Sequence, residues 1–214
     1  MHTFSSWNVD ASQILTRREL ASVLADLQAR APRLANVHLN LAIARLACCC
    51  GLRAGEIGGL RLADVYVGIA RPYIQVRAAC AKGNRPRRVP LWWDAGTLQD
   101  LAAWKARRQA QGARADDPFI CSLQRATFGR MLNRHVVRQR FRTACRALGR
   151  ERLRSLTVHD GRHTFISHAL AGGRTLGKVR AAAGHASLLA TSVYLHVAIE
   201  DAGDLGSLFA FESS

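Results

Sequence analysis

The chain has 214 residues, with 31 Lys and Arg against 15 Asp and Glu, a formal charge of +16 and an isoelectric point near 11.1. That length suits one large domain with a substantial core and argues against a second full domain. The charge favours a polyanionic partner such as nucleic acid, and no apolar stretch approaches the roughly 20 residues that span a bilayer.

The opening residues, MHTFSSWNVDAS, lack the charged start and apolar centre of a secretion signal, so a cytosolic or nucleoid location is expected. Of the six cysteines, Cys48, Cys49 and Cys50 are contiguous in an apolar run, while Cys80, Cys121 and Cys145 are scattered. Without a CxxC spacing, zinc and a disulfide framework are both disfavoured, and buried free thiols are expected.

Thr16 followed by Glu19 is a capping-box pattern and predicts a helix over Arg17–Arg30. After Pro32, the apolar density of NVHLNLAIARLACCCGL predicts a buried helix ending at Gly51. AGEIGGLRLADVYV reads as a short helical turn leading toward a strand. PYIQVRAA alternates, AKGNRPR is turn material and RVPLWW resumes as β, which predicts a small antiparallel sheet with Lys82 and Gly83 at its turn. Asp94 to Ala110 is again helical, and GARADDPFIC is a loop leading into an extended piece. ATFGRMLNRHVVRQRFRTACRALG is expected as one or two helices. After Gly149 comes a basic linker, then a helix carrying His159 and Arg162, a helix at LGKVRAAAG and a last helix around SLLATSVYLHV. The fold class expected is α+β, mainly α, with one small sheet.

Arg134, Arg138, Arg142 and Arg146 recur every four residues and form a slanted basic stripe on a helix of 3.6 residues per turn. Such a stripe is either a solvated face or a row of phosphate contacts, and opposing carboxylates are nearly absent here. The last quarter gathers His159, Arg162, His185 and Tyr194. With Arg53 and Lys82 upstream, these are the residue types that metal-free attack on a phosphodiester needs. Guanidinium forks hold the phosphoryl oxygens, a lysine protonates the leaving oxygen, imidazoles move protons, and a phenol is both nucleophile and leaving group. Taken singly, Arg53 and Lys82 also read as surface charges and Tyr194 as half-buried core. His159 and His163 lie four apart, but no HExxH glutamate accompanies them and Arg162 would repel a cation, so a metal site is not expected.

GLRAGEIGGLRLADV resembles the first arginine motif of the tyrosine recombinases (the phage-integrase family), with Arg53 at the catalytic arginine and Glu56 three residues on. AKGNRPRRVPL resembles the family's β-hairpin with its lysine at Lys82. HDGRHTF is similar to the His-x-x-Arg-His-Thr box, and GHASLLATSVYLHV is similar to the closing motif, with His185 in the Gly-His pair and the nucleophile at Tyr194. The resemblance implies that Tyr194 forms a 3′-phosphotyrosyl link to DNA. Arg53, Arg162 and His185 would hold the phosphate, Lys82 would protonate the leaving oxygen, His159 would assist proton transfer, and no cofactor is needed. It further implies double-stranded DNA as partner, with Arg85, Arg87, Arg138 and Arg142 as candidate DNA contacts, and a homo-tetramer on two DNA sites. On this reading residues 1–15 are an extension, 16–200 the catalytic domain and 201–214 a tail.

Two departures stand out. Gly161 occupies a position where a leucine commonly precedes the arginine, which is expected to remove packing behind Arg162 and add backbone freedom. Family members usually carry a helical core-binding domain ahead of the catalytic domain, so the chain reads as a catalytic domain standing alone. A DNA-binding accessory protein without cleavage activity, or a type IB topoisomerase-like relaxing enzyme, are the alternatives.

Overall fold

The computed structural model describes residues 10–195, apart from the side chains of Arg33 and Lys82. The expected tail at 201–214 and most of the extension at 1–15 lie outside the described residues. Helix α1 (Arg17–Arg30) begins as the sequence predicts: the Thr16 hydroxyl accepts from the Glu19 amide at 3.1 Å, and the Glu19 carboxylate accepts from the Thr16 amide at 2.9 Å.

Helix α2 (Ala35–Cys48) is apolar around nearly its whole circumference, and its burial follows from that. It is the axis of the molecule. Around it pack α1, α4 (Ala95–Ala110), α5 (Arg134–Ala144) and α7 (Val158–Ala171). One buried cation ties α2 to α4: Arg45 donates to Asp100 at 2.8 Å and to Asp94 at 3.1 Å. All three cysteines of the triplet are buried here, and burial pushes each thiol's pKa upward, which keeps them protonated and inert.

From α2 the chain runs through α3 (Ala54–Gly59) into a three-stranded antiparallel sheet, β1 (Val65–Tyr66), β2 (Tyr73–Val76) and β3 (Arg87–Pro90), in that spatial order. The register aligns Val65, Ile74 and Val89 on the buried face. Tyr66 stacks on Tyr73 at 4.5 Å on the other. Two 3-10 turns span the β2–β3 connection, the second over Lys82–Asn84, with Gly83 and Asn84 both at positive φ.

The second half refines the expectation in one place and departs from it in two. The stretch from Ala126 does not run into one long helix, because Gly129 at φ +80 breaks it and Asn133 starts α5 afresh, its side chain accepting from the His135 and Val136 amides at 3.0 Å. The basic linker after Gly149 is itself a short helix, α6 (Gly149–Ser155). The last described helix, α9 (Leu189–Ser192), is only one turn long, so Tyr194 follows it in a turn instead of lying on an amphipathic helix face.

Candidate active site

Two glycines in left-handed conformation deliver Arg53 and His185. Gly51, at φ +65, ends the turn after α2, with the Leu52 amide closing back on the Leu46 carbonyl at 2.9 Å. Arg53 then stands at the head of α3. Gly184, at φ +69, ends helix α8 (Leu176–Ala183) in the same manner and hands the chain to His185. Arg162 lies in the first turns of α7, whose start is fixed by a capping box between Thr157 and Asp160.

The Arg162 side chain is 1 % exposed and spans these two helix ends: it donates to the Gly51 carbonyl at 2.7 Å and to the Ala183 carbonyl at 2.6 Å. Carbonyls left unpaired at helix C-termini carry partial negative charge, which suits a buried guanidinium. Burial first, then the Arg53 and Arg87 charges, lower its pKa to about 9, so Arg162 stays charged at neutral pH.

Glu56 is the hub that holds this cationic cluster together. Its carboxylate, 2 % exposed, accepts from the Arg53 amide at 2.8 Å, from the Arg53 guanidinium at 3.1 Å, and from both terminal nitrogens of Arg87 at 2.8 Å. Burial would raise the carboxyl's pKa, but the Arg87 hydrogen bonds and charge outweigh it and hold it below the ordinary carboxylate value. Arg87 also donates to the Ala182 carbonyl at 2.8 Å. Expected as a DNA contact, Arg87 has a side chain 7 % exposed that braces Glu56 and the end of α8.

Gly161 is likewise not a loosened position. A Cβ there would lie 3.0 Å from Cys48 Sγ and 3.1 Å from Ala47 Cβ, so the glycine lets α7 sit directly on α2. The wall behind Arg162 is supplied by the α2 side chains instead of by a leucine.

Tyr194 is 4 % exposed and its hydroxyl is hydrogen-bonded to His163 Nδ1. Burial raises the phenol's pKa to about 12, partly opposed by Arg162. His163 is held down to about 4 by burial, then by His159 and Arg162. At neutral pH the pair is therefore a protonated phenol hydrogen-bonded to a neutral imidazole. The His163 ring meets His159 edge-on at 4.5 Å and Tyr194 at 5.5 Å. His185, also pulled down to about 4 by burial and the arginines, pairs its Nδ1 with Thr191 Oγ1 at 2.9 Å and lies 6.3 Å from the Tyr194 ring. The sequence brought His163 forward only as a possible metal ligand. Its adjacency to Arg162 and its spacing from His159 were the signals available. Among the described residues no group of three or more His, Cys, Asp or Glu side chains is set to hold a metal ion.

Above this cluster opens a cavity of about 810 Å³ lined by Arg53, Arg134, Arg138, Arg142, Arg154 and His159, among others. The arginine stripe thus divides. Arg134, Arg138 and Arg142 line the groove, whereas Arg146 lies past the end of α5 and reaches toward Asp26 at 3.9 Å. On the hairpin Arg85 is exposed.

Residues 14–201 match the model of the phage integrase family. The chain belongs to that family. Relatives of this phage integrase domain include tyrosine recombinase XerD of Pseudomonas aeruginosa, 30% identical over 151 residues, which covers 70% of this chain and 46% of that one. Tyrosine recombinase XerC of Bifidobacterium longum is 30% identical over 196 residues, covering 89% and 52%. The chain therefore spans about half the length of the recombinases it matches. Among solved structures, XerA recombinase superposes with a TM-score of 0.69 at 20% identity, covering 94% of this chain and 64% of that one. XerH bound to its palindromic difH substrate in a post-cleavage complex gives 0.69 at 22%, covering 92% and 54%. A lambda integrase dimer on a core site gives 0.60 at 19%, covering 90% and 62%. These likenesses establish the fold, a mainly helical domain with a small antiparallel sheet.

Proposed function

We propose that the chain is the strand-cleaving domain of a site-specific DNA recombinase, formed by residues 16–200. The observation that carries this reading is the clustering of Arg53, Arg162, His185 and Tyr194, with Glu56 paired to Arg53, beside a groove walled by arginines. Double-stranded DNA lies in the groove, its phosphates on Arg138 and Arg142 and, at the hairpin, on Arg85. Tyr194 attacks the scissile phosphorus to give a 3′-phosphotyrosyl link and a free 5′ hydroxyl. Arg53 and Arg162 stabilise the charge that develops on the non-bridging oxygens. In the tautomer whose Nδ1 accepts from Thr191 Oγ1, neutral His185 presents an Nε2–H as a further donor. His159, exposed at the groove, assists proton transfer at the phosphate, and Lys82 on the β2–β3 connection protonates the leaving 5′ oxygen. One phosphoester is exchanged for another, so no metal or nucleotide is required. No helix among the described residues is long and apolar enough to cross a membrane. A cytoplasmic protein that assembles as a tetramer on two DNA sites fits this reading.

A nicked suicide duplex tests it. The wild-type chain is expected to become covalently attached to DNA, and Tyr194→Phe to lose the adduct while keeping its affinity. A folded, DNA-bound wild type that forms no adduct would favour a non-cleaving DNA-binding role, and relaxation of supercoiled plasmid without joining of two sites would favour a topoisomerase-like one.

A further inference from the structure

On the strand-cleavage reading above, we propose that His163 is a further catalytic residue, its Nδ1 taking the phenolic proton of Tyr194 as the tyrosine oxygen attacks phosphorus. The role rests on that reading and on one contact: His163 Nδ1 is hydrogen-bonded to the hydroxyl that must become the nucleophile. The other two imidazoles of the cluster are differently placed. His185 commits its Nδ1 to Thr191 Oγ1 at 2.9 Å, and His159 is exposed on the groove wall.

The protonation states allow the hydrogen bond to run from the phenol to the imidazole. A phenol with its pKa raised to about 12 keeps its proton, and an imidazole lowered to about 4 is free to accept. The role uses the neutral tautomer with its proton on Nε2, in which His163 turns a lone pair toward Tyr194. The groups facing it are His159, Asp160 and Arg162 on its own helix, His185 after α8 and Tyr194 after α9. Of these, Asp160 favours the imidazolium and Arg162 opposes it. An anionic phosphate seated on Arg53 and Arg162 adds a second group that favours the imidazolium. Bonding to phosphorus also acidifies the phenol, so the proton needs to leave only as the new bond forms.

The step balances. The proton passes from Tyr194 Oη to His163 Nδ1, the Oη–P bond forms, the P–O5′ bond breaks, and the leaving oxygen takes a proton from the group on its own side. In rejoining, the 5′ hydroxyl attacks phosphorus and gives its proton back to the group that supplied it, the P–Oη bond breaks, and the His163 imidazolium returns its proton to the departing phenolate.

The test is single-turnover cleavage by the full chain and by His163→Gln on two nicked duplexes, one ordinary and one with sulfur in place of the 5′-bridging oxygen. A thiolate leaves without protonation, so this substrate removes the need for a leaving-group acid. The expected result is an adduct rate lowered about 100-fold or more on both substrates, the usual scale of acid–base assistance. On the sulfur substrate the wild-type rate should also fall as pH drops and His163 protonates, while the variant shows no such fall. An undiminished variant, or one fully restored by the sulfur substrate, overturns the proposal for His163 alone. A wild type that forms no adduct overturns the cleavage reading with it. Should His163→Gln fail to fold, nitrogen NMR of the histidine rings in wild type and Tyr194→Phe decides the contact. One imidazole Nδ1 resonance must shift on loss of the phenol, and an unchanged spectrum overturns the proposal.

Discussion

Arg87 meets Glu56 in a two-pronged ion pair, each prong 2.8 Å long, in a place where both side chains are nearly closed to solvent. The pair joins β3 to the start of α3, and through the Ala182 carbonyl it reaches α8. Removing one member leaves the other as a buried uncompensated charge. Glu56→Ala is therefore expected to destabilise the fold by about 3–5 kcal/mol, read as a lower urea midpoint. A loss near zero would show that the cluster relaxes by admitting water.

The close seating of α7 on α2 makes a sharper packing prediction. Gly161→Leu must displace Cys48 and Ala47, and overpacking of this kind costs about 1–3 kcal/mol. Combining Gly161→Ala with Cys48→Ala should recover part of the loss of the single glycine substitution, because the new methyl takes space vacated by the sulfur. Equilibrium unfolding of the four proteins in the cycle measures the coupling.

Stability is expected to fall with acid across a defined range. His163, His168 and His185 each have a pKa pulled from 6.5 to about 4 in the folded chain, with burial as the leading cause. Between those values the unfolded chain binds more protons than the folded one, so folding loses stability as pH drops from about 6.5 toward 4 and gains nothing from these groups above it. Glu56 acts in the same direction at lower pH, since its folded carboxyl is held below the ordinary value. Thermal midpoints at pH 7.5 and pH 5 should show the drop, and equal midpoints would mean that the imidazoles are not held unprotonated.

The division of the arginine stripe can be read from salt dependence. Arg138→Ala and Arg142→Ala should each weaken binding to duplex DNA and lower the slope of log affinity against log salt by about 1, as loss of one phosphate contact requires. Arg146→Ala, on the far side toward Asp26, should leave the slope unchanged. Equal effects from all three would place Arg146 on DNA as well.

Much of this molecule could be read before its structure was available. The Thr16–Glu19 box marks the start of α1 because both halves of the cap are local, and the apolar run of α2 declares a helix buried on every side. The small sheet follows from alternation at PYIQV and RVP. Long-range pairings were less legible. Arg87 sits among exposed basic residues of a hairpin, and nothing nearby in sequence says that its partner is Glu56, 31 residues away. Gly161 looked like lost packing because the α2 side chains that fill the space lie more than a hundred positions earlier. The helical state of α6 is hidden by its arginines, which read as linker. His163 was overshadowed by Arg162 beside it, and only the return of Tyr194 to α7 gives the imidazole a partner.

Arg162 bonds to the chain at Gly51 and again at Ala183, positions 111 and 21 residues from it. A nascent chain emerging from the ribosome can make the first of these contacts early, but the second waits for α8 to be synthesised and docked. The guanidinium cannot be fixed in its final geometry until nearly the whole domain has been completed. If the chain binds DNA as proposed, partially folded or truncated forms would carry the basic charge without the assembled Arg162 anchor. On the strand-cleavage reading, the same anchor would keep cutting behind the final stage of folding.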